Sequence, residues 1–190
     1  MNLTSPEMIR AVTQKWNGDR DSRGRPLVPD DILERMKLVT SEEAWGTCKR
    51  NGYSFQFAGD WMNLHPERVV VGRAVTCRWV PRRPDVHDSI DRQGEEDDRV
   101  GFQNSWVIDE LETNDLIVVD LFGKVFNGTF AGDNLATAIK SRSGTGMVID
   151  GGIRDTQRIL EMDEFNAFIR GVDPSAILDV SMVEINGITR

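Results

Sequence analysis

Leu116-Ile117-Val118-Val119-Asp120-Leu121 is a near-continuous apolar run, and together with the two glycine-bearing turns downstream it decides the fold. Such a run reads as a strand buried on both faces. After it come a glycine-bearing turn, Gly128-Thr129-Phe130-Ala131-Gly132-Asp133-Asn134-Leu135-Ala136, and a helix expected over Leu135 to Arg142. Ala136, Ala138 and Ile139 give that helix a small apolar face, and Gly144-Thr145-Gly146 ends it. Met147-Val148-Ile149-Asp150 is a second short buried strand. A second glycine-bearing turn, Ile149-Asp150-Gly151-Gly152-Ile153-Arg154-Asp155, leads into a short helix over Thr156 to Met162. Strand and helix alternate, which argues for an α/β layered domain.

Working outward, Phe165 to Arg170 and Val180 to Ile185 are further strand candidates. Arg68 to Val80 is rich in β-branched and aromatic residues and reads as one strand, with Gly72 marking a bulge or a close backbone approach. Pro81 to Asp98 is polar, charged and proline-bearing, and is expected to be a long loop. Val100 to Leu111 is expected to be helical. Toward the N-terminus, Ser5-Pro6-Glu7 has the form of a helix start. A second helix begins at Asp30 or Asp31 and passes through Leu38. Thr40 and Glu43 form a capping box for a third helix that runs to about Arg50 and is closed by Gly52. The chain thus divides into an N-terminal helical extension over 1–35 and an α/β domain over 36–190. Asn186-Gly187 is a hairpin signal with barely any second strand after it, so the chain reads as a fragment.

With 190 residues, 39% hydrophobic and 28% charged, the composition is that of a globular protein. A net charge of −8 argues against broad binding to nucleic-acid phosphates, which needs clustered cations. The basic patch at Arg78, Arg82 and Arg83 is followed closely by Asp85, Asp88 and Asp91. No apolar stretch approaches the ~20 residues of a membrane span, and the N-terminus shows no signal peptide. Cys48 and Cys77 suggest no disulfide framework, which fits a reducing cytoplasm. Cys77 reads as a small core residue, Glu95-Glu96-Asp97-Asp98 as charged surface, and His65 and His87 as exposed loop residues, although the context of His87, Asp85-Val86-His87-Asp88, could also bind a metal.

The chemistry sits at the two turns. Each feeds a helix N-terminus, where free backbone N–H groups and the helix dipole favour an anion. Arg154 and Asp155 add a cation and a carboxylate side by side, so the pair of turns could hold an anionic substrate and a divalent metal. Taken singly, each residue has a plainer reading: Asp133 and Asp155 as helix caps, the glycines as turn formers, Arg154 as surface. Taken together they gain weight, because open α/β sheets bind ligands at neighbouring strand ends.

Gly132-Asp133-Asn134-Leu135-Ala136, with the twenty positions 134–153 separating Asp133 from Arg154-Asp155, resembles the signature of the class II 4-hydroxy-4-methyl-2-oxoglutarate aldolases. The same family, the RraA-like proteins, includes the regulator of ribonuclease activity A. Arg68 to Thr76, Asn114 to Asp120 and Val183 to Gly187 agree with it. Asn134 departs from it, standing where many members have an apolar residue, and the segment from Pro81 to Asp98 is longer than in compact members. The resemblance covers roughly Met36 onward. It implies an α/β/α sandwich assembled as a homotrimer or a hexamer of two trimers, with sites between subunits, and a dependence on Mg²⁺ or Mn²⁺. Carried over by position, Asp155 helps hold the metal, Arg154 contacts the keto-acid end of a small 2-oxo acid, backbone amides of Gly132 to Leu135 (Gly132, Asp133, Asn134 and Leu135) bind its carboxylate, and Asp133 orients a water. The implied activity is retro-aldol cleavage of 4-hydroxy-2-oxo acids, decarboxylation of oxaloacetate, or both, through a pyruvate enolate. The alternative that the resemblance leaves open is a non-catalytic regulator that binds a ribonuclease.

Overall fold

The computed structural model describes residues 4–189. Met1 to Leu3, within the stretch read for a signal peptide, and Arg190 lie outside them. The helices are α1 (Pro6–Val12), α2 (Asp30–Met36), α3 (Ser41–Arg50), α4 (Pro84–Glu96), α5 (Gln103–Asp109), α6 (Asp133–Ser143) and α7 (Thr156–Leu160). The strands are β1 (Met62–Asn63), β2 (Arg73–Pro81), β3 (Asp115–Ala131), β4 (Gly146–Ile153), β5 (Asn166–Val172) and β6 (Val180–Ile185). They form one six-stranded sheet in the order β1-β5-β4-β3-β2-β6. The four inner strands are parallel, and β1 and β6 pair antiparallel at the edges. This is the layered α/β fold expected from the alternation of strand and helix. No helix among the described residues is long and apolar enough to cross a membrane.

The sheet is built asymmetrically. Val75, Cys77 and Trp79 of β2, Ile117, Val119 and Leu121 of β3, Met147 and Ile149 of β4, and Ala167 and Ile169 of β5 are all buried in one core. Ile90, Trp106, Val107, Ala136 and Ile139 from α4, α5 and α6 complete it. The residues between them point to the opposite face and are more open: Leu116 and Val118 are half-buried, and Arg78 is exposed. The run therefore alternates between half-buried and buried from Leu116 to Val119, and is buried on both faces at Asp120 and Leu121. Each large apolar side chain fully buried contributes about 1.5–3 kcal/mol, so this one face supplies most of the drive to fold. Cys77 shares it, and loss of solvation pushes its thiol up to about 12.

Local chemistry sets the element ends. Ser5 Oγ accepts from Met8 N at 3.2 Å ahead of Pro6. Thr40 and Glu43 close the expected box at 3.2 and 2.9 Å. Gly144 ends α6 in the left-handed region at φ 71. Gly72 is a close backbone approach, since a Cβ there would lie 2.9 Å from Leu116 N.

Three expectations are corrected. The segment from Pro81 to Asp98 is not a loop: Pro84 opens α4 at its first turn with Asp85 beside it, and Ile90 and Gly94 are buried one turn apart, with Gly94 pressed against the Trp106 ring. The strand expected from Arg68 begins at Arg73. β3 and β4 run on through the glycines assigned to turns, so Gly128, Gly151 and Gly152 lie in strands, where β4 packs against an irregular excursion of β3 with register shifts between Asp120 and Ala131.

Segment 20–30 is tied to the amino ends of β2 and β3. Arg25 and Asp115 form a buried two-pronged ion pair at 2.9 and 3.1 Å. Arg73 reaches Val28 O at 2.9 Å and Asp30 at 3.2 Å.

Candidate functional site

β3 and β4 are parallel neighbours, so their carboxyl ends lie side by side, and each hands the chain to a helix there. β3 ends at Ala131 and passes through Gly132 into α6; β4 ends at Ile153 and passes through Arg154-Asp155 into α7. Arg154 N donates to Ala131 O at 3.0 Å, which ties the two exits together. Gly132 is extended, at φ −108, so no unusual backbone conformation calls for glycine. Space calls for it: a Cβ there would overlap the Asp155 carboxylate and stand 3.0 and 3.1 Å from Nε and Cγ of Arg154. The two turns, twenty-two positions apart, are in contact through that missing methyl group.

All the residues singled out in the sequence meet here. Asp155 caps α7 in the left-handed region at φ 57, a conformation that Asp tolerates better than most residues. Its Oδ2 lies 3.4 Å from Arg154 Nε and accepts from Asp133 N at 3.4 Å. Asp133 Oδ1 accepts from Asn134 N at 2.9 Å, and its Oδ2 pairs with Arg158 at 3.2 Å. Two leading amides of α6 thus already face carboxylates, as expected of a helix N-terminus. Leu135 comes next, half-buried, one position before Ala136 N returns to Gly132 O at 3.0 Å. Arg154 is 36% exposed and Asp155 42%, so cation and carboxylate are both open to a ligand.

Two partners of the site were not visible in the sequence. Arg158 stands four residues after Arg154 on the same turn of chain, a spacing that could have drawn attention to it. Thr129 is fully buried; its hydroxyl lies 3.5 Å from Arg154 Nη1 and donates to Ser175 O. Thr129 thus links the loop between β5 and β6 to Arg154. In that loop the Ser175 hydroxyl and amide hold the Asp173 carboxyl below its ordinary 3.8.

The donor set suits only a divalent metal that the protein holds in part, with substrate and waters supplying the rest. Among the described residues no group of three or more His, Cys, Asp or Glu side chains is arranged to hold an ion. Mg²⁺ is commonly held by one or two carboxylates with substrate oxygens and waters rather than by an all-protein cage. Asp155 offers one such carboxylate, and its two contacts, both at 3.4 Å, are long.

His65 lies in a loop as expected but is not exposed, and His87 is not in a loop at all. His65 is half-buried, with Nδ1 3.2 Å from Glu67. His87 lies on α4, its Nδ1 2.8 Å from Ser181 Oγ and its Nε2 3.3 Å from Asp91. Gln103 bridges Asp91, at 2.7 Å, and the amide of Met182, at 2.8 Å. This network lines a cavity of about 390 Å³ with Trp79, Arg82 and Ile177, beside the carboxyl end of β2.

Comparison with known proteins gives a consistent picture. A family model described as RraA-like, Aldolase/RraA, matches residues 43–187. RraAS2 of Streptomyces coelicolor, described as an unusual member of the RNase ES inhibitor RraA protein family, superposes with a TM-score of 0.65 at 23% identity over 83% of this chain and 72% of its own. A structure described as novel cellulases from microbes associated with the gut ecosystem superposes at 0.64 with 19% identity, over 97% of this chain and 75% of its own. An uncharacterized protein from Pseudomonas syringae pv. tomato str. DC3000 gives 0.58 at 18% identity, over 83% and 66%. At such identities the likeness speaks for the fold alone. No curated protein matches the chain.

Proposed function

Because the chain belongs to the RraA-like family, Aldolase/RraA, over residues 43–187, we propose that it is a divalent-metal-dependent lyase of small 2-oxo acids. It would cleave 4-hydroxy-2-oxo acids, decarboxylate oxaloacetate, or both. The observation that carries this reading is the crowding at Gly132, where Arg154 and Asp155 fill the space that any side chain would occupy. A purely structural pair of turns has no use for an open cation and an open carboxylate pressed onto a helix start.

The roles rest on charge and position. Arg154 binds the keto-acid end and supplies fixed positive charge where negative charge develops as the C–C bond breaks. The leading amides of α6, with the positive end of its dipole, hold the substrate carboxylate. Asp133, braced by Arg158, orients a water that takes the C4 hydroxyl proton during cleavage and returns a proton to C3 of the pyruvate enolate. Asp155 would hold Mg²⁺ or Mn²⁺, which when bound acts as a Lewis acid toward the substrate's oxygens. Both cleavages release pyruvate. Homo-oligomeric assembly and a cytoplasmic location belong to the same proposal.

The test is pyruvate release from a 4-hydroxy-2-oxo acid and from oxaloacetate with Mg²⁺ or Mn²⁺, coupled to NADH oxidation by lactate dehydrogenase. Activity is expected to vanish with EDTA and in Arg154→Ala and Asp155→Ala. Undiminished turnover in both variants would reject these roles. A second reading, a regulator that docks on a ribonuclease, is favoured by the exposed acidic run Glu95 to Asp98 and the net charge of −8. Ribonuclease inhibition unchanged by Arg154→Ala, without pyruvate release from either substrate, would select it.

A further inference from the structure

His87 and Asp91 stand one helical turn apart on α4, a spacing that puts both side chains on one face. Both line the cavity of about 390 Å³ beside the carboxyl end of β2. His87 Nε2 and Asp91 Oδ2 are 3.3 Å apart. Two atoms that share one zinc ion in tetrahedral geometry, each about 2.0–2.1 Å from it, stand about 3.3–3.4 Å from each other. Neighbouring ligands of an octahedral Mg²⁺ with bonds of that length would stand about 2.9 Å apart.

The groups behind this pair are arranged as the outer shell of a metal site. A ligating histidine is oriented by a hydrogen bond at its other ring nitrogen, and a ligating carboxylate is in turn hydrogen-bonded. His87 Nδ1 lies 2.8 Å from Ser181 Oγ on β6, and Asp91 Oδ1 accepts from Gln103 Nε2 on α5 at 2.7 Å. Both supports are fixed: Ser181 is fully buried, Gln103 is 6% exposed, and Gln103 Oε1 accepts from Met182 N at 2.8 Å. The Ser181 hydroxyl can donate or accept, so the ring keeps its place when its proton moves from Nε2 to Nδ1. The sequence context Asp85-Val86-His87-Asp88 singles out the right histidine but the wrong acids. Residues one or two apart on a helix do not face each other, and Asp85 pairs with Arg83 at 2.7 Å.

We propose that His87 Nε2 and Asp91 Oδ2 bind a zinc ion. An imidazole nitrogen beside one carboxylate favours Zn²⁺ over Mg²⁺ and Mn²⁺, and the 3.3 Å separation agrees. Among the described residues no three such side chains are arranged around an ion. The protein therefore supplies two ligands, and the remaining positions open on the cavity, to water or a small anion. Glu95, a further turn along α4, lines the same cavity. None of these residues belongs to the turns at Gly132 and Arg154, so the zinc site does not rest on the lyase reading.

Titration of the chelator-treated full chain with zinc chloride tests the proposal, followed by nitrogen-15 NMR of the histidine side chains. Zn²⁺ is expected to shift His87 Nε2 and to leave the ring proton on Nδ1. Ser181→Ala should weaken binding about 10-fold, as for other outer-shell partners, and His87→Gln and Asp91→Asn should weaken it by more. Asp91→Asn keeps an oxygen for Gln103, so its far-UV circular dichroism should match the wild type. The response of His87 should be unchanged in Asp155→Ala. No response of His87 to millimolar Zn²⁺, affinity undiminished in Asp91→Asn, loss of the response in Asp155→Ala, or displacement of Zn²⁺ from His87 by an equal concentration of Mn²⁺ would each overturn the proposal.

Discussion

Gly132→Ala adds one methyl group at the point where the two turns touch, and its consequences divide sharply between activity and stability. The added Cβ would overlap the Asp155 carboxylate and crowd Arg154 Nε at 3.0 Å. Relieving that overlap to ordinary van der Waals separation requires a shift of about 1 Å in the cation and the acid. A misplacement of that size at a reacting centre costs on the order of 10²-fold in rate. Stability should barely move. The backbone at Gly132 is extended, at φ −108, so alanine meets no backbone strain, and both displaced side chains are open enough to swing outward. A net change within about 1 kcal/mol is expected, because a less flexible unfolded chain offsets part of the crowding. Gly144→Ala is the mirror control. Nothing lies within 4 Å of its Cβ position, but φ is 71, so it should cost about 1 kcal/mol or more in stability and leave turnover alone. Pyruvate release and thermal unfolding, measured on both variants, decide the matter. Full activity in Gly132→Ala would refute the claim that this contact sets the site.

Arg25→Met should destabilise the fold by about 1.5–3 kcal/mol, because buried Asp115 loses its two-pronged partner and keeps only Arg73 Nε at 3.4 Å and Glu112 N at 2.8 Å; the urea midpoint followed by tryptophan fluorescence checks this, and Arg25→Met/Asp115→Leu should recover part of the loss. In the native protein only Cys48 should react promptly with a thiol reagent at pH 8, since burial pushes the Cys77 thiol up to about 12; in denaturant both should react. Asp173 titrates below its ordinary 3.8 because of the Ser175 hydroxyl and amide, so its contribution to stability is present above 3.8 and is lost as pH falls through the lower folded value. In Ser175→Ala a carboxyl NMR titration should show Asp173 moving back toward 3.8. Because Asp155 alone offers little to an ion, oxalate should tighten Mn²⁺ binding, and Mn²⁺ should tighten oxalate binding by the same factor; calorimetric affinities indifferent to the second ligand would contradict this.

How much of the structure is legible in the chain depends on the range of the interaction. α3 is legible because its cap is a local exchange between Thr40 and Glu43. The end of α6 is legible because Gly144 must take up a positive φ. α4 is not, because Pro81, Pro84 and a dense run of charges resemble a loop; the usable signal is the spacing Val86, Ile90, Gly94, which places one face against Trp106. The long course of β3 is hidden because Phe122, Gly123 and Asn127 take positive φ values within it, so the segment has the turn chemistry of a loop. In the site, Gly132 is legible as a turn glycine but for the wrong reason, since what excludes a side chain is the neighbouring strand's Arg154-Asp155. Thr129, Arg158 and the Arg25–Asp115 pair depend on contacts between positions 25 to 90 residues apart, which local pattern does not carry.

The two acids of the site are held differently, and the difference suits different roles. Asp133 is engaged at both oxygens, by Asn134 N at 2.9 Å and by the largely exposed Arg158 at 3.2 Å, and its side chain is only 21% exposed. Asp155 has only long contacts, at 3.4 Å to Arg154 Nε and to Asp133 N, and its side chain is 42% exposed. An exposed ion pair of that kind contributes about 0–1 kcal/mol, so Asp155 can be drawn from Arg154 toward a metal ion at small cost. Its withdrawal frees the Asp133 amide at the positive end of α6 and leaves Arg154 without its internal counter-ion. Both are then better able to receive a carboxylate. The same displacement that would make Asp155 a ligand would thus prepare the anion site, and it leaves Asp133, the less exposed of the two acids, as the carboxylate that keeps its place.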